Sequence, residues 1–167
     1  MRSCHPDWMA TGRITFGGSP SWELWKDRTF LPTLRPQLEA GWAACARHDG
    51  RAWQEADRAI DKALPADLAD RSRKAGNLLA NSYRPPTAEK LWARIAREIA
   101  AGNQPGHLAS VMALRAATFS IPPYQAVGCY LLVEAKGGWG SEAELQWWDL
   151  VNDCLTAPTA QPAFRIA

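Results

Sequence analysis

From Ala116 to Val133 the chain carries no charged side chain, and Pro122 and Pro123 cut that run near its middle. Uninterrupted, such a run would suggest a membrane span. Each half is too short to cross a hydrocarbon core of roughly 30 Å. The pattern instead predicts two helices meeting at a tight Ser120-Ile121-Pro122-Pro123 corner. Leu108, Val111, Met112 and Phe119 form one stripe on the first helix, whereas Tyr124 to Val133 is apolar on every side. A helix of the second kind is normally enclosed by others. The expectation is a pair of central helices, the second the more enclosed, sheathed by amphipathic neighbours.

Those neighbours can be read upstream and downstream. Leu34, Leu38, Trp42 and Cys45 recur at helical spacing, predicting a helix from about Pro36 to His48 that Asp49-Gly50 ends. A second helix, Arg51 to Leu64, places Trp53, Ala56, Ile60 and Leu64 on one face and stops at Pro65. A third runs from Leu68 to about Tyr83, with Asp67 as its cap and Leu68, Ala75, Leu79 and Tyr83 as its stripe. Gly76 lies within it, permitting either a close helix approach or a kink. After the Arg84-Pro85-Pro86-Thr87 break, Ala88 to Ala101 divides its faces most clearly. Leu91, Trp92, Ile95 and Ile99 lie opposite Lys90, Arg94, Arg97 and Glu98. A capping box, Ser141 to Glu144, opens a last helix through Leu155. No run alternates with period two. The fold class is therefore all-α: a single compact bundle of about six to seven helices. Residues 1–30 are expected as an irregular arm, 31–156 as the helical domain and 157–167 as a frayed tail.

Little in the sequence carries chemistry. A net charge of +2 is too small for a protein that holds nucleic acid by bulk electrostatics. The four cysteines include no CxxC pair, and the N-terminus lacks the apolar core of an export signal, so a reducing cytoplasm is expected. Cys4 and His5 could supply two metal ligands, short of the four, or three plus water, that zinc requires. His107 opens a helix, the wrong end for a charged imidazole, and reads as neutral. Asp57 and Asp61, one turn apart, read as a solvated face. Phe16-Gly17-Gly18-Ser19 lacks the lysine and long helix of a phosphate loop. No cofactor, no metal site and no catalytic residues are expected.

Two surfaces suggest partners. Nine tryptophans are many for 167 residues, and Trp139, Trp147 and Trp148 cluster near the C-terminus. Indoles serve both cores and protein interfaces. Arg71, Arg73 and Lys74 form a basic segment that could dock an acidic protein.

In order of pattern, residues from about Gly12 to Leu155 resemble the urease accessory protein family UreF. The resemblance rests on Ala43 to Asp49, on the spaced Asp57 and Asp61, and on Leu68-Ala69-Asp70-Arg71-Ser72-Arg73-Lys74-Ala75-Gly76-Asn77-Leu78-Leu79. It continues with Gly106-His107-Leu108 opening a helix of small residues, then the proline corner and Tyr130-Leu131-Leu132. Two segments depart from the family pattern. Phe16 to Leu24 stands where the family has a Pro-Gly-aromatic-Ser lead, and Lys136 to Gly140 replaces its late Leu-Gly-Gln segment. The resemblance implies a non-catalytic scaffold between a nickel-carrying GTPase metallochaperone and an apo-enzyme. It implies protein partners and neither nucleotide nor cofactor; a homodimer is compatible with it. Two other readings stay open. One is a small inhibitor or immunity-type binder. The other is an enzyme or small-molecule binder with a pocket at the corner, near His107, Tyr124, Cys129 and Tyr130.

Overall fold

The computed structural model describes residues 25–82 and 90–138, with side chains up to 134. Six α-helices are present there, and no strand is found among the described residues. They are α1 Arg35–Ala46, α2 Gly50–Ala63, α3 Ala66–Asn81, α4 Lys90–Ala100, α5 Leu108–Thr118 and α6 Pro123–Gly138. The all-α expectation is met.

The first helix begins earlier than its proline suggested. A π-wound segment, Lys26–Leu34, runs without a break into α1. Pro32 lies inside it and Pro36 lies at the first turn of α1. A proline has no N–H to give and its ring crowds the carbonyl four residues back. A wider turn, in which the Arg35 N–H reaches the Phe30 carbonyl, tolerates both. The segment earns its place through packing: Trp25 and Phe30 are buried, with ring centroids 5.4 Å apart, and Phe30 stacks in turn on Tyr130 of α6 at 6.1 Å.

The centre is α5, which packs against α1, α2, α3 and α6. All nine residues from Leu108 to Ala116 are buried. Here the structure corrects the sequence reading, which placed the more enclosed helix after the corner. Ala109, Ser110, Ala113 and Ala116 are small enough to let neighbours approach on every side, so enclosure follows side-chain size as well as hydropathy. On α6, Tyr124 is 63% exposed and Gly128, Cys129 and Leu132 are only half-buried. Phe119, expected on the α5 stripe, is exposed beyond the helix end.

Two indoles fasten the outer helices to this centre. Trp53 Nε1 donates to the Ser110 carbonyl at 3.0 Å, and Trp42 Nε1 to the Ile121 carbonyl at 2.7 Å. Both give a large apolar residue its polar partner on the backbone it covers.

Helix ends follow one device three times. The N–H groups of His48 and Asp49 return to Cys45 and Ala44, those of Gly102 and Asn103 to Ile99 and Glu98, and those of Ser120 and Ile121 to Ala117 and Ala116. This pairing needs its first residue in the left-handed region. Gly102 adopts it at φ +75 with little strain, whereas His48 and Ser120 adopt it at +56 and +55 despite their side chains. At the other end of α2, Asp49 caps as a short acid should, accepting from the N–H groups of Arg51 and Ala52. Asp67 does not cap α3: it sits in the first turn, after Pro65.

Candidate partner-docking surface

The basic segment singled out in the sequence lies on α3, but its three members do not act together. Arg73 and Lys74 line a shallow groove of about 730 Å³ between α3 and the end of α4, whereas Arg71 lies outside it. On the α3 wall they are followed by Asn77, Leu78 and Asn81. The facing wall is built by Ile99, Ala100, Gly102, Gln104 and Pro105. Leu78 is 52% exposed, one of few large apolar side chains so placed among the described residues.

Each basic group is already engaged. Arg73 Nη1 meets Asp61 Oδ1 at 2.5 Å, and Lys74 Nζ meets Asp70 Oδ2 at 2.7 Å. Hydrogen bonding to Lys74 holds the Asp70 carboxyl below its ordinary value. The segment is therefore a paired surface, not a free positive patch.

Below the groove lies a polar cluster that the sequence reading missed. The one-turn spacing of Asp57 and Asp61 suggests a solvated face, yet Asp57 is fully buried. Its Oδ1 accepts from the His107 N–H at 2.8 Å, and its Oδ2 from the Gly106 N–H at 2.8 Å and Gln104 Nε2 at 2.9 Å. Ser72 Oγ accepts from the Leu108 N–H at 3.3 Å. The start of α5 is thus capped from two other helices, α2 and α3. Unpaired N–H groups at a buried helix start are costly, and a negative charge is favoured there by the helix dipole. The signal was in the spacing: Asp57 falls on the stripe of Trp53, Ala56 and Ile60.

His107 completes the cluster. Its ring is fully buried and its Nε2 lies 3.1 Å from Asp61 Oδ1, the oxygen that also receives Arg73. Burial pushes the His107 pKa below its ordinary 6.5, and the nearby Asp57 and Asp61 charges only partly oppose it. A neutral ring with its proton on Nε2 donates to Asp61 and leaves Nδ1 without a partner. Burial raises the Asp61 pKa, but the hydrogen bonds from Arg73 and His107 outweigh it and leave the carboxyl below 3.8. The neutral state expected from the sequence agrees with this environment.

The residues proposed around a corner pocket are not brought together. His107 stands at the start of α5, and the corner lies beyond its end. Tyr124 faces outward into a second groove with Arg35, Glu39 and Trp42. Tyr130 is buried against Phe30, where burial and then the Glu134 carboxylate push its hydroxyl pKa well up. Cys129 is half-buried and in no disulfide. A cleft of about 530 Å³ does lie at the corner, but Trp42, Cys45, His48, Leu91, Ser120 and Pro122 are among its lining. Burial pushes the Cys45 thiol up to about 12, so it is a poor nucleophile and behaves as a small apolar residue. Trp139, Trp147, Trp148, Cys4 and His5 lie outside the described residues. No group of three or more metal-ligating side chains occurs among the described residues. No described helix is long and apolar enough to cross a membrane.

Comparison with known proteins gives one finding. The family model named UreF matches residues 25–137, about two-thirds of the chain and nearly all of the helical body described above. Its first residue directly follows Phe16 to Leu24, and its last falls within Lys136 to Gly140. No curated protein and no solved structure matches the chain.

Proposed function

Because this chain belongs to the UreF family of urease accessory proteins, we propose that it is a non-catalytic helical adaptor in the maturation of a nickel enzyme. It acts by holding other proteins: a GTPase metallochaperone that carries the nickel, further accessory proteins and the apo-enzyme. The observation that carries this reading is the extent of the family match, which spans the helical body from Trp25 through α6 to Gly137. Its surfaces of contact are the α3 segment with Arg71, Arg73 and Lys74 and the C-terminal tryptophans Trp139, Trp147 and Trp148. The exposed Leu78 beside Arg73 and Lys74 supports the first of these.

The role is compatible with a cytoplasmic adaptor that binds no cofactor of its own. Reconstitution tests it. Apo-urease, nickel, GTP and the purified accessory proteins of the same host are combined with and without this chain. Activation of the urease is expected to depend on the chain, and the chain is expected to travel with the accessory proteins in gel filtration. Equal activation in its absence, with no co-elution, sinks the reading.

A further inference from the structure

From Tyr124 to Val133, α6 carries no charge on any side, yet its main neighbours among the described elements, α5 and α1, meet only part of it. Toward them it buries Ala126, Val127, Tyr130, Leu131 and Val133. On another side Gln125 is exposed, and Gly128, Cys129 and Leu132 are half-buried. These four recur at helical spacing and form one stripe along the helix. A helix with no charged face is normally covered all round, so the stripe calls for a cover.

We propose that the cover is the chain's own C-terminal segment, residues 141–155, which lies outside the described residues. It packs as a helix antiparallel to α6, with Leu145, Trp148 and Val151 on Leu132, Cys129 and Gly128, and Leu155 toward the Tyr124 end.

The point at which α6 ends argues for this occupant. Its last residue is Gly138 and the capping box opens at Ser141, so Trp139 and Gly140 alone separate the two helices. A connection so short joins antiparallel neighbours. Length agrees as well. At about 1.5 Å per residue, the 16 residues of α6 span about 24 Å, and the 15 from 141 to 155 about 22 Å. Counting away from the turn along both helices brings Trp148 to about the level of Leu131, Val151 to that of Gly128 and Leu155 to that of Tyr124. The apolar positions of the segment thus fall where α6 is uncovered. A second copy of the chain or a separate protein would have to displace a segment tethered at an effective concentration on the order of millimolar or more. Trp147 and Trp148 stand about 100° apart around a helix, so one narrow face does not take both. With Trp148 turned inward, Trp139 and Trp147 are left of the three as a surface for a partner. The segment lies beyond the family match, which ends at residue 137, so failure of the proposal leaves the family role untouched.

The test uses the full chain with Cys4 and Cys154 replaced by serine. Val151→Cys or Leu150→Cys is added, its thiol is joined to native Cys129 by a short bis-maleimide, and the linked peptides are identified by mass spectrometry. Positions 150 and 151 share nearly the same level, but only 151 is on the stripe. Cys45 is buried with its thiol pushed up to about 12, and stays out of the reaction. Linkage within one chain is expected from Val151→Cys, about tenfold faster or more than from Leu150→Cys. Linkage from 150 in preference to 151, linkage only between chains, or none from either overturns the proposal. Melting curves give a second readout in the otherwise native chain. Trp148→Ala should lower Tm by several degrees and Trp147→Ala should leave it nearly unchanged. Leu132→Ala combined with Trp148→Ala should lose less than the two single losses together, as contacting residues do. Losses that simply add overturn the proposed contact.

Discussion

Asp57 shows how one side chain can decide where a helix starts. It accepts three N–H groups in a fully buried setting, two of them from the backbone ahead of α5. Asp57→Ala strands all three donors. The expected loss is about 3 kcal/mol or more of unfolding free energy, read as a lower urea midpoint. His48 and Ser120 make the opposite case. Both hold left-handed backbone at helix ends where Gly102, in the same pattern of hydrogen bonds, is at ease. His48→Gly and Ser120→Gly should each raise stability by about 1 kcal/mol, since the left-handed region costs a side-chain-bearing residue about that much. Thermal melts of the single and double variants check this, and because both side chains line the corner cleft the double variant also measures how far the two gains are coupled. A loss at either position would mean that its side chain contributes more than its backbone costs.

At the scale of elements, contact between α3 and the start of α5 is set by the absence of one carbon. A Cβ on Gly76 would overlap the Gly106 carbonyl oxygen and stand 2.7 Å from the His107 carbonyl carbon and 2.8 Å from the Leu108 nitrogen. These are backbone atoms and cannot rotate aside. Of the two sequence readings of Gly76, close approach is the one observed. Gly76→Ala should cost about 3 kcal/mol, as overpacking of a tight core does, and should raise amide exchange across residues 104–108. An alanine here that left exchange unchanged would show that the two elements can slide apart cheaply. The same crowding explains why α5 could be enclosed on all sides: its small residues let α1, α2, α3 and α6 close in together.

For the whole molecule, the buried ionisable cluster sets the response to acid. His107 is neutral in the fold with a pKa below 6.5, whereas the unfolded chain takes up a proton near 6.5. Its contribution to stability is complete above pH 6.5 and is lost as the pH falls from there through the folded value. Asp61, with its carboxyl held below 3.8, adds a second loss in the same direction at lower pH. Stability should therefore fall on acidification in two stages, and His107→Gln should remove the first. Urea titrations from about pH 2 to about pH 8 measure both. A flat profile from pH 8 to 5 in the wild type would show that His107 titrates alike folded and unfolded. Because the core runs continuously from Trp25 to Val133, this local protonation should register in the global midpoint.

The six helices of the described residues, the breaks at Pro65 and the double proline, and the divided faces of α4 were all legible in the sequence, because each depends on neighbours within a turn or two. So was the family, since its pattern is an order of such local features. What could not be read locally is which polar residue turns inward. Asp57 and Asp61 look alike along the chain, and only the arrival of α5 makes one a buried cap and leaves the other half-exposed to hold Arg73 and His107. The order of enclosure around the corner, and a groove that joins Leu78 to Pro105, were likewise settled by packing. Periodicity gives each helix a face. The close approach of elements far apart in sequence decides what that face meets.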